Sequence, residues 1–217
     1  MTFSLGSTPR SLVKYNDQSI AAITEVGSGA GVTDDMVLIK EVTASSSANV
    51  TFADGTSDVV LDSTYPIYLF EFISIHPQTD NKEFQVNFRD GSTAYDATKT
   101  TVTFNAHHDE GDTAAVLGYD TNADIAQGTG FQLLAGACGA DADQCISGYM
   151  WLFNPSSTTF VKHFMSRISG FHAVNYAFDF HTSGYCNVTA AIDGVQFKYD
   201  SGNIDSGTIK LYGLKDS

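Results

Sequence analysis

A period of two runs through most of this chain, and it constrains the fold more than any other feature. Residues 83–89 show it most cleanly: Phe84, Val86 and Phe88 alternate with Glu83, Gln85, Asn87 and Arg89. Successive side chains of a strand point to opposite faces, so such a segment buries one side and wets the other. Residues 48–53 alternate around Val50 and Phe52 and run into the turn pair Asp54-Gly55. Residues 100–105 place Val102 and Phe104 on one face. Residues 171–180 line up Val174, Tyr176, Phe178 and Phe180, and residues 191–199 set Val195, Phe197 and Tyr199 opposite Gln196 and Lys198. Residues 67–75 are apolar on both faces, with Ile67, Leu69, Ile73 and Ile75 on one and Tyr68, Phe70 and Phe72 on the other. That pattern predicts a strand covered on both sides.

Shorter runs at 36–42, 59–61, 146–153, 158–165 and 208–214 bring the expectation to about nine or ten strands. Turn signals such as Asp90-Gly91, Asn154-Pro155 and Ser201-Gly202-Asn203 separate them. The 15 Phe and 10 Tyr suit a pleated, half-buried surface. No alternation of strands with helices is present. The expected fold is all-β, an antiparallel two-sheet sandwich of jelly-roll type.

Two regions depart from the rhythm. Residues 1–33 are rich in Ser, Thr and Gly and read as an N-terminal arm and linker ahead of a sandwich over 34–217. The arm carries one apolar patch, Ile20, Ile23 and Val26, suited to ordering against a neighbouring subunit. Residues 106–143 are acidic and rich in Ala and Gly and read as a long loop excursion, with room for a short helix at 113–117 or 123–126. Compact domains seldom carry such connections without a purpose, so partner contacts are expected here, with Tyr119 and Phe131 as candidates.

Charge narrows the partners. The formal net charge is -14, with 11 Lys and Arg in total. A phosphate backbone repels such a surface, so neither nucleic acid nor an anionic membrane is an expected partner. No stretch approaches the roughly 20 apolar residues that span a bilayer. The first residues lack a charged region followed by an apolar one, so no signal peptide is expected. Cys138, Cys145 and Cys186 are too few for a disulfide scaffold. Reduced thiols are the expected state, with a Cys138–Cys145 bridge left open.

Reactive chemistry has no anchor in the residues. The densest group of possible ligands runs from His107 and His108 through Asp109 and Glu110 to Asp112. Adjacent strand residues face opposite ways, so the two imidazoles do not share a metal easily. Asp120, Asn122 and Asp124 resemble the start of a calcium loop, but Ile125 and Phe131 stand where that loop needs Gly and Glu. No nucleophile elbow, phosphate loop or zinc-protease helix is present. No catalytic residue, cofactor or metal is expected, and the chain reads as a non-enzyme. Glycan binding stays open through Tyr119, Tyr149, Trp151 and Tyr185, although mid-strand Trp151 reads better as core.

Four blocks resemble a family of virion structural proteins from tailed bacteriophages that infect marine cyanobacteria. The first runs from Leu38-Ile39-Lys40 through Thr43-Ala44-Ser45 to Val50-Thr51-Phe52. The second is Tyr65-Pro66-Ile67-Tyr68-Leu69-Phe70 through Ile75-His76-Pro77, and the third is Leu152-Phe153-Asn154-Pro155 through Thr158-Thr159. The last runs from Ile192-Asp193-Gly194 through Ser201-Gly202-Asn203-Ile204 to Leu211-Tyr212-Gly213. The resemblance implies a jelly-roll-like particle component and carries over no catalytic residues. The expected role is a capsid decoration or cement protein that binds the major capsid protein or other virion proteins and works as a homo-oligomer, preferably a trimer. The alternative is a tail, neck or fibre adsorption module that recognises a host glycan.

Overall fold

The computed structural model describes residues 35–215. The arm over 1–33, with Ile20, Ile23 and Val26, lies outside the described residues. Twelve strands and no helix make up the described chain: β1 (Met36–Ser47), β2 (Val50–Ala53), β3 (Ile67–Pro77), β4 (Lys82–Arg89), β5 (Lys99–Asp109), β6 (Ala115–Tyr119), β7 (Gln132–Cys138), β8 (Ile146–Phe153), β9 (Lys162–Phe171), β10 (Tyr176–Cys186), β11 (Gly194–Tyr199) and β12 (Ile204–Leu214). All pairings are antiparallel.

The strand order reproduces a jelly roll. One sheet runs β1-β12-β3-β8-β9-β10-β5-β6 and the other β2-β11-β4-β7. Its first four strands and the whole of the small sheet form the two four-stranded layers of two Greek keys. The hairpins β5–β6 and β9–β10 are insertions between strands of that frame. They add to the large sheet alone, so it continues well past the edge of its partner.

Aromatic side chains fill the space between the layers. Phe70 and Phe72 of β3 meet Phe52, Phe84 and Phe197 of the small sheet, mostly edge to face at 5.1–5.4 Å. Such geometry adds about 0.5–1.5 kcal/mol per pair beyond area burial. Phe84, Val86 and Phe88 are fully buried, as their alternation predicts.

The strand over 67–75 departs from its predicted faces for a local reason. The pairing of β3 shifts register between Phe72 and Ile75, where Ser74 takes φ 50°. The bulge turns Ile75 into the core and leaves Ile73 at the surface. Ile67 and Leu69 are only half buried, so this strand is covered fully on one face rather than two.

The region 106–143 is not a loop excursion. It holds the end of β5, then β6, then β7, and it forms no helix at 113–117 or 123–126. β7 is a frame strand of the small sheet, with Leu134, Ala135 and Cys138 fully buried. Its Ala- and Gly-rich sequence hides it from a propensity reading. Two further boundaries move. Val174 sits exposed in the β9–β10 turn rather than in line with Tyr176, and residues 158–161 precede β9.

β5 inverts the expectation attached to an apolar face. Val102 and Phe104 do share a face, but it points to solvent, while Lys99, Thr101 and Thr103 point inward. The inner side chains hold the segment that carries the chain from β6 to β7. Lys99 Nζ donates to the Gly130 carbonyl at 2.7 Å, and Thr101 Oγ1 donates to Gln132 Oε1 at 2.6 Å. Gln132 Nε2 in turn donates to the Ala123 carbonyl at 2.7 Å. A crossing segment leaves backbone groups without ladder partners, and buried polar side chains satisfy them. Lys162 does the same on β9, donating to the carbonyls of Val188 and Ala190.

Candidate functional site

The outer face of the large sheet has no covering layer among the described residues, and its side chains are unusually apolar. The register carries one row straight across seven strands: Leu38, Tyr212, Leu69, Trp151, Met165, Ser183 and Val102. The neighbouring row contains Glu71, Tyr149, Arg167, His181, Phe104 and Tyr119. Met36, Leu38, Val102, Phe104, Tyr149 and Met165 are each 40–49% exposed, and Leu117 at the β6 edge is 76% exposed. Single exposed apolar residues are ordinary, but a contiguous field of them marks an interaction surface.

Two ion pairs lie on this face. Arg167 donates through Nε and Nη2 to both carboxylate oxygens of Asp179, at 2.7–3.1 Å. That hydrogen bonding holds the Asp179 carboxyl below the usual carboxylate range. His181 Nε2 lies 3.3 Å from the same carboxylate and stacks on Phe104 at 4.8 Å, 6° from parallel. Lys210 pairs with Glu41 at 3.4 Å. Pairing lowers the cost of taking these groups out of water, which usually bars ionic surfaces from interface centres. The Glu71 carboxylate accepts from the Tyr212 hydroxyl at 3.3 Å and has no cation within ion-pair distance among the described residues.

The second feature is a cleft where the large sheet outruns the small one. Beyond β7 the inner face of β5 and β10 opens to solvent as a hollow of about 290 Å³. Phe178 and Phe180 form its floor, and Gly136 and Ala137 of β7 form one rim. His107, Tyr176 and His172 stand as an aromatic wall, with His107 and Tyr176 stacked at 5.4 Å and 4° from parallel. Glu83, Asn105, Asp120 and Asn122 supply polar groups. Asn105 Nδ2 donates to Asp120 Oδ2 at 3.4 Å, and Gln85 Nε2 donates to Glu83 Oε2 at 3.0 Å. Burial, followed by the neighbouring His107, pushes the His172 pKa down, so its imidazole is neutral at pH 7.

The sequence candidates scatter over these features. Tyr119 lies on the outer face beside Phe104, and its hydroxyl donates to Asp124 Oδ2 at 2.7 Å. Phe131 lies instead immediately before β7, with Lys198 Nζ 4.4 Å over its ring, so the two do not form one surface. Trp151 is no core residue: it is half buried on the outer face, edge to face with Tyr149 at 6.3 Å. His107 faces inward and His108 outward, as their adjacency requires. Among the described residues, no three His, Cys, Asp or Glu side chains gather as a metal set. Asp120 accepts from the Asn122 backbone N–H at 3.1 Å and so shapes its own turn. Cys138, Cys145 and Cys186 are all free thiols. Sequence reasoning missed Met165, Arg167, Asp179 and His181, whose common face appears only once the strands are paired.

Fold and surface together define an all-β jelly roll with an enlarged sheet, a broad apolar outer face and one polar-rimmed cleft. No family model, no curated protein and no solved structure matches this chain.

Proposed function

We propose that this chain is a non-enzymatic structural protein of a bacteriophage particle, a decoration or cement protein that binds neighbouring capsid subunits. The observation that carries the reading is the outer face of the large sheet: a mostly apolar row crosses seven strands, and two ion pairs neutralise Arg167 and Lys210 on the surface itself. That chemistry suits a protein partner that presents an apolar, uncharged surface. The four sequence blocks that resemble virion proteins supply the phage setting. Assembly of the chain itself, as a trimer, is part of the proposal.

The test is attachment. Particles prepared with and without the protein are heated, and capsid opening is followed by light scattering. Added protein is expected to raise the opening temperature, and Tyr149→Glu combined with Met165→Glu to abolish the effect while the variant stays folded. A chain that remains a monomer and leaves capsid opening unchanged refutes the role. A second reading, an adsorption module on the tail, neck or fibre that recognises a host glycan, is favoured by the cleft beside β7.

A further inference from the structure

We infer that the cleft between β7 and the β5–β10 extension is a binding site for one neutral sugar ring. The inference deepens the glycan-adsorption reading by naming the ligand class, and it is independent of the assembly role of the outer face.

Shape is the first ground. A hollow of about 290 Å³ lies at the lower end of the roughly 300–1,000 Å³ usual for ligand sites. It has room for a single ring and little more. Its position follows from the fold. The inserted hairpins extend the large sheet, the small sheet stops at β7, and the exposed inner face becomes a concave step.

Chemistry is the second ground. A pyranose has faces of C–H groups and a rim of hydroxyls, each of which both donates and accepts. The cleft has the complementary division, with apolar rings at the floor and wall and polar groups above them. Asp120 and Glu83 accept, while the Asn122 amide both donates and accepts. Tyr176 offers a phenol that does both. The Asn122 side chain and the Tyr176 hydroxyl make no hydrogen bond within the described protein, so they are available to a ligand.

Charge is the third ground, and it selects among sugars. The lining holds two carboxylates and no Lys or Arg. Uronic and sialic acids meet repulsion with no compensating cation. No third ligating side chain joins the carboxylates among the described residues, so the set does not read as a cation site.

The experiment titrates the folded protein with the methyl glycosides of glucose, galactose and mannose and with N-acetylglucosamine. Binding is followed by ligand-observed NMR, with glucuronate and glucosamine as charged controls. One neutral sugar is expected to saturate with a roughly millimolar Kd, appropriate to about a dozen non-hydrogen atoms. Asp120→Asn and Asn122→Ala are expected to weaken it by about tenfold, the scale of one lost hydrogen bond to a charged or well-placed group. Gly136→Leu is expected to abolish it. A Cβ added at Gly136 sits 3.4 Å from Phe180 Cζ, so a larger side chain there lies against the ring that floors the hollow. Tyr149→Glu on the outer face should leave binding unchanged. Asn122 is exposed, so its variant tests the site without disturbing the fold. Absence of saturable binding by every neutral sugar overturns the inference, as does binding that survives Gly136→Leu. Preference for glucuronate or glucosamine also overturns it, while leaving glycan adsorption itself standing.

Discussion

Phe72 of β3 and Phe197 of β11 meet edge to face across the sandwich, their ring centroids 5.1 Å apart and their planes at 75°. Phe197 also packs on Phe52, Phe70 and Phe84, so one fully buried ring ties three strands of the small sheet to the large one. Phe197→Ala is expected to destabilise the fold by about 3–5 kcal/mol, through lost transfer energy and the cavity left behind. Urea unfolding monitored by circular dichroism reads this as a lower midpoint at unchanged slope. A loss below about 1 kcal/mol would show that the two layers do not depend on this cluster.

The bulge that turns Ile75 inward has a partner residue on β12. Gly207 takes φ 119°, and a Cβ there would meet the Ser74 carbonyl oxygen at 2.6 Å and Ile75 Cα at 2.7 Å. Both obstacles are backbone, so they yield only if the strands separate. Gly207→Ala is expected to cost roughly 2 kcal/mol or more, from the left-handed conformation together with the clash. Gly55→Ala is the control: its φ is 71° but its Cβ meets nothing within 4 Å, so it should cost clearly less.

Lys99 makes stability depend on pH in an unusual direction. Burial lowers its pKa to about 8, against about 10.4 in an unfolded chain. Below pH 8 both states carry the proton and this group adds no slope. Between about 8 and 10.4 the unfolded chain binds a proton that the folded chain does not, so stability from this group rises with pH. Cys138 and Cys186 act oppositely, because burial pushes their thiols up to about 12 and folded stability falls as the unfolded thiols ionise. Subtracting Lys99→Met from the wild type cancels the Cys138 contribution and leaves the lysine together with its coupling to Cys186. The difference is expected to move toward the wild type by up to about 3 kcal/mol between pH 8 and 10.4. A pH-independent difference in urea midpoints would disprove the assignment.

The thiols separate by burial. Cys138 and Cys186 are buried, while Cys145 is partly open. Thiolate is the reactive form, so raised pKa and burial both protect the first two. Titration with a disulfide reagent at pH 8 should label Cys145 alone in the folded protein, and all three cysteines in denaturant. Mass spectrometry after labelling identifies the site. A Cys138–Cys145 bridge in protein purified without reductant would contradict the free-thiol arrangement.

Legibility followed a physical boundary. Phe84, Val86, Phe88, Val195, Phe197 and Tyr199 read as one-sided strands and are buried as read. Alternation reports which residues share a face, and strong aromatic alternation over turn pairs leaves few alternatives to a two-sheet fold. It does not report which face meets the core. Thr101 and Thr103 point inward and Val102 and Phe104 outward because β5 lies where a crossing segment needs hydrogen bonds. β7 escaped notice because small residues pack closely there without the apolar bulk that marks a strand.

The amino-acid sequence by itself determined the all-β class, the sandwich, most strand positions and the acidic character, since these follow from local periodicity, turn residues and charge count. Tertiary structure alone decided that two inserted hairpins widen one sheet. It also brought Leu69, Trp151 and Met165 into one row and opened a cleft beside β7. Those features depend on which strands pair across long sequence separations, and pairing is a property of the closed fold that no local pattern encodes.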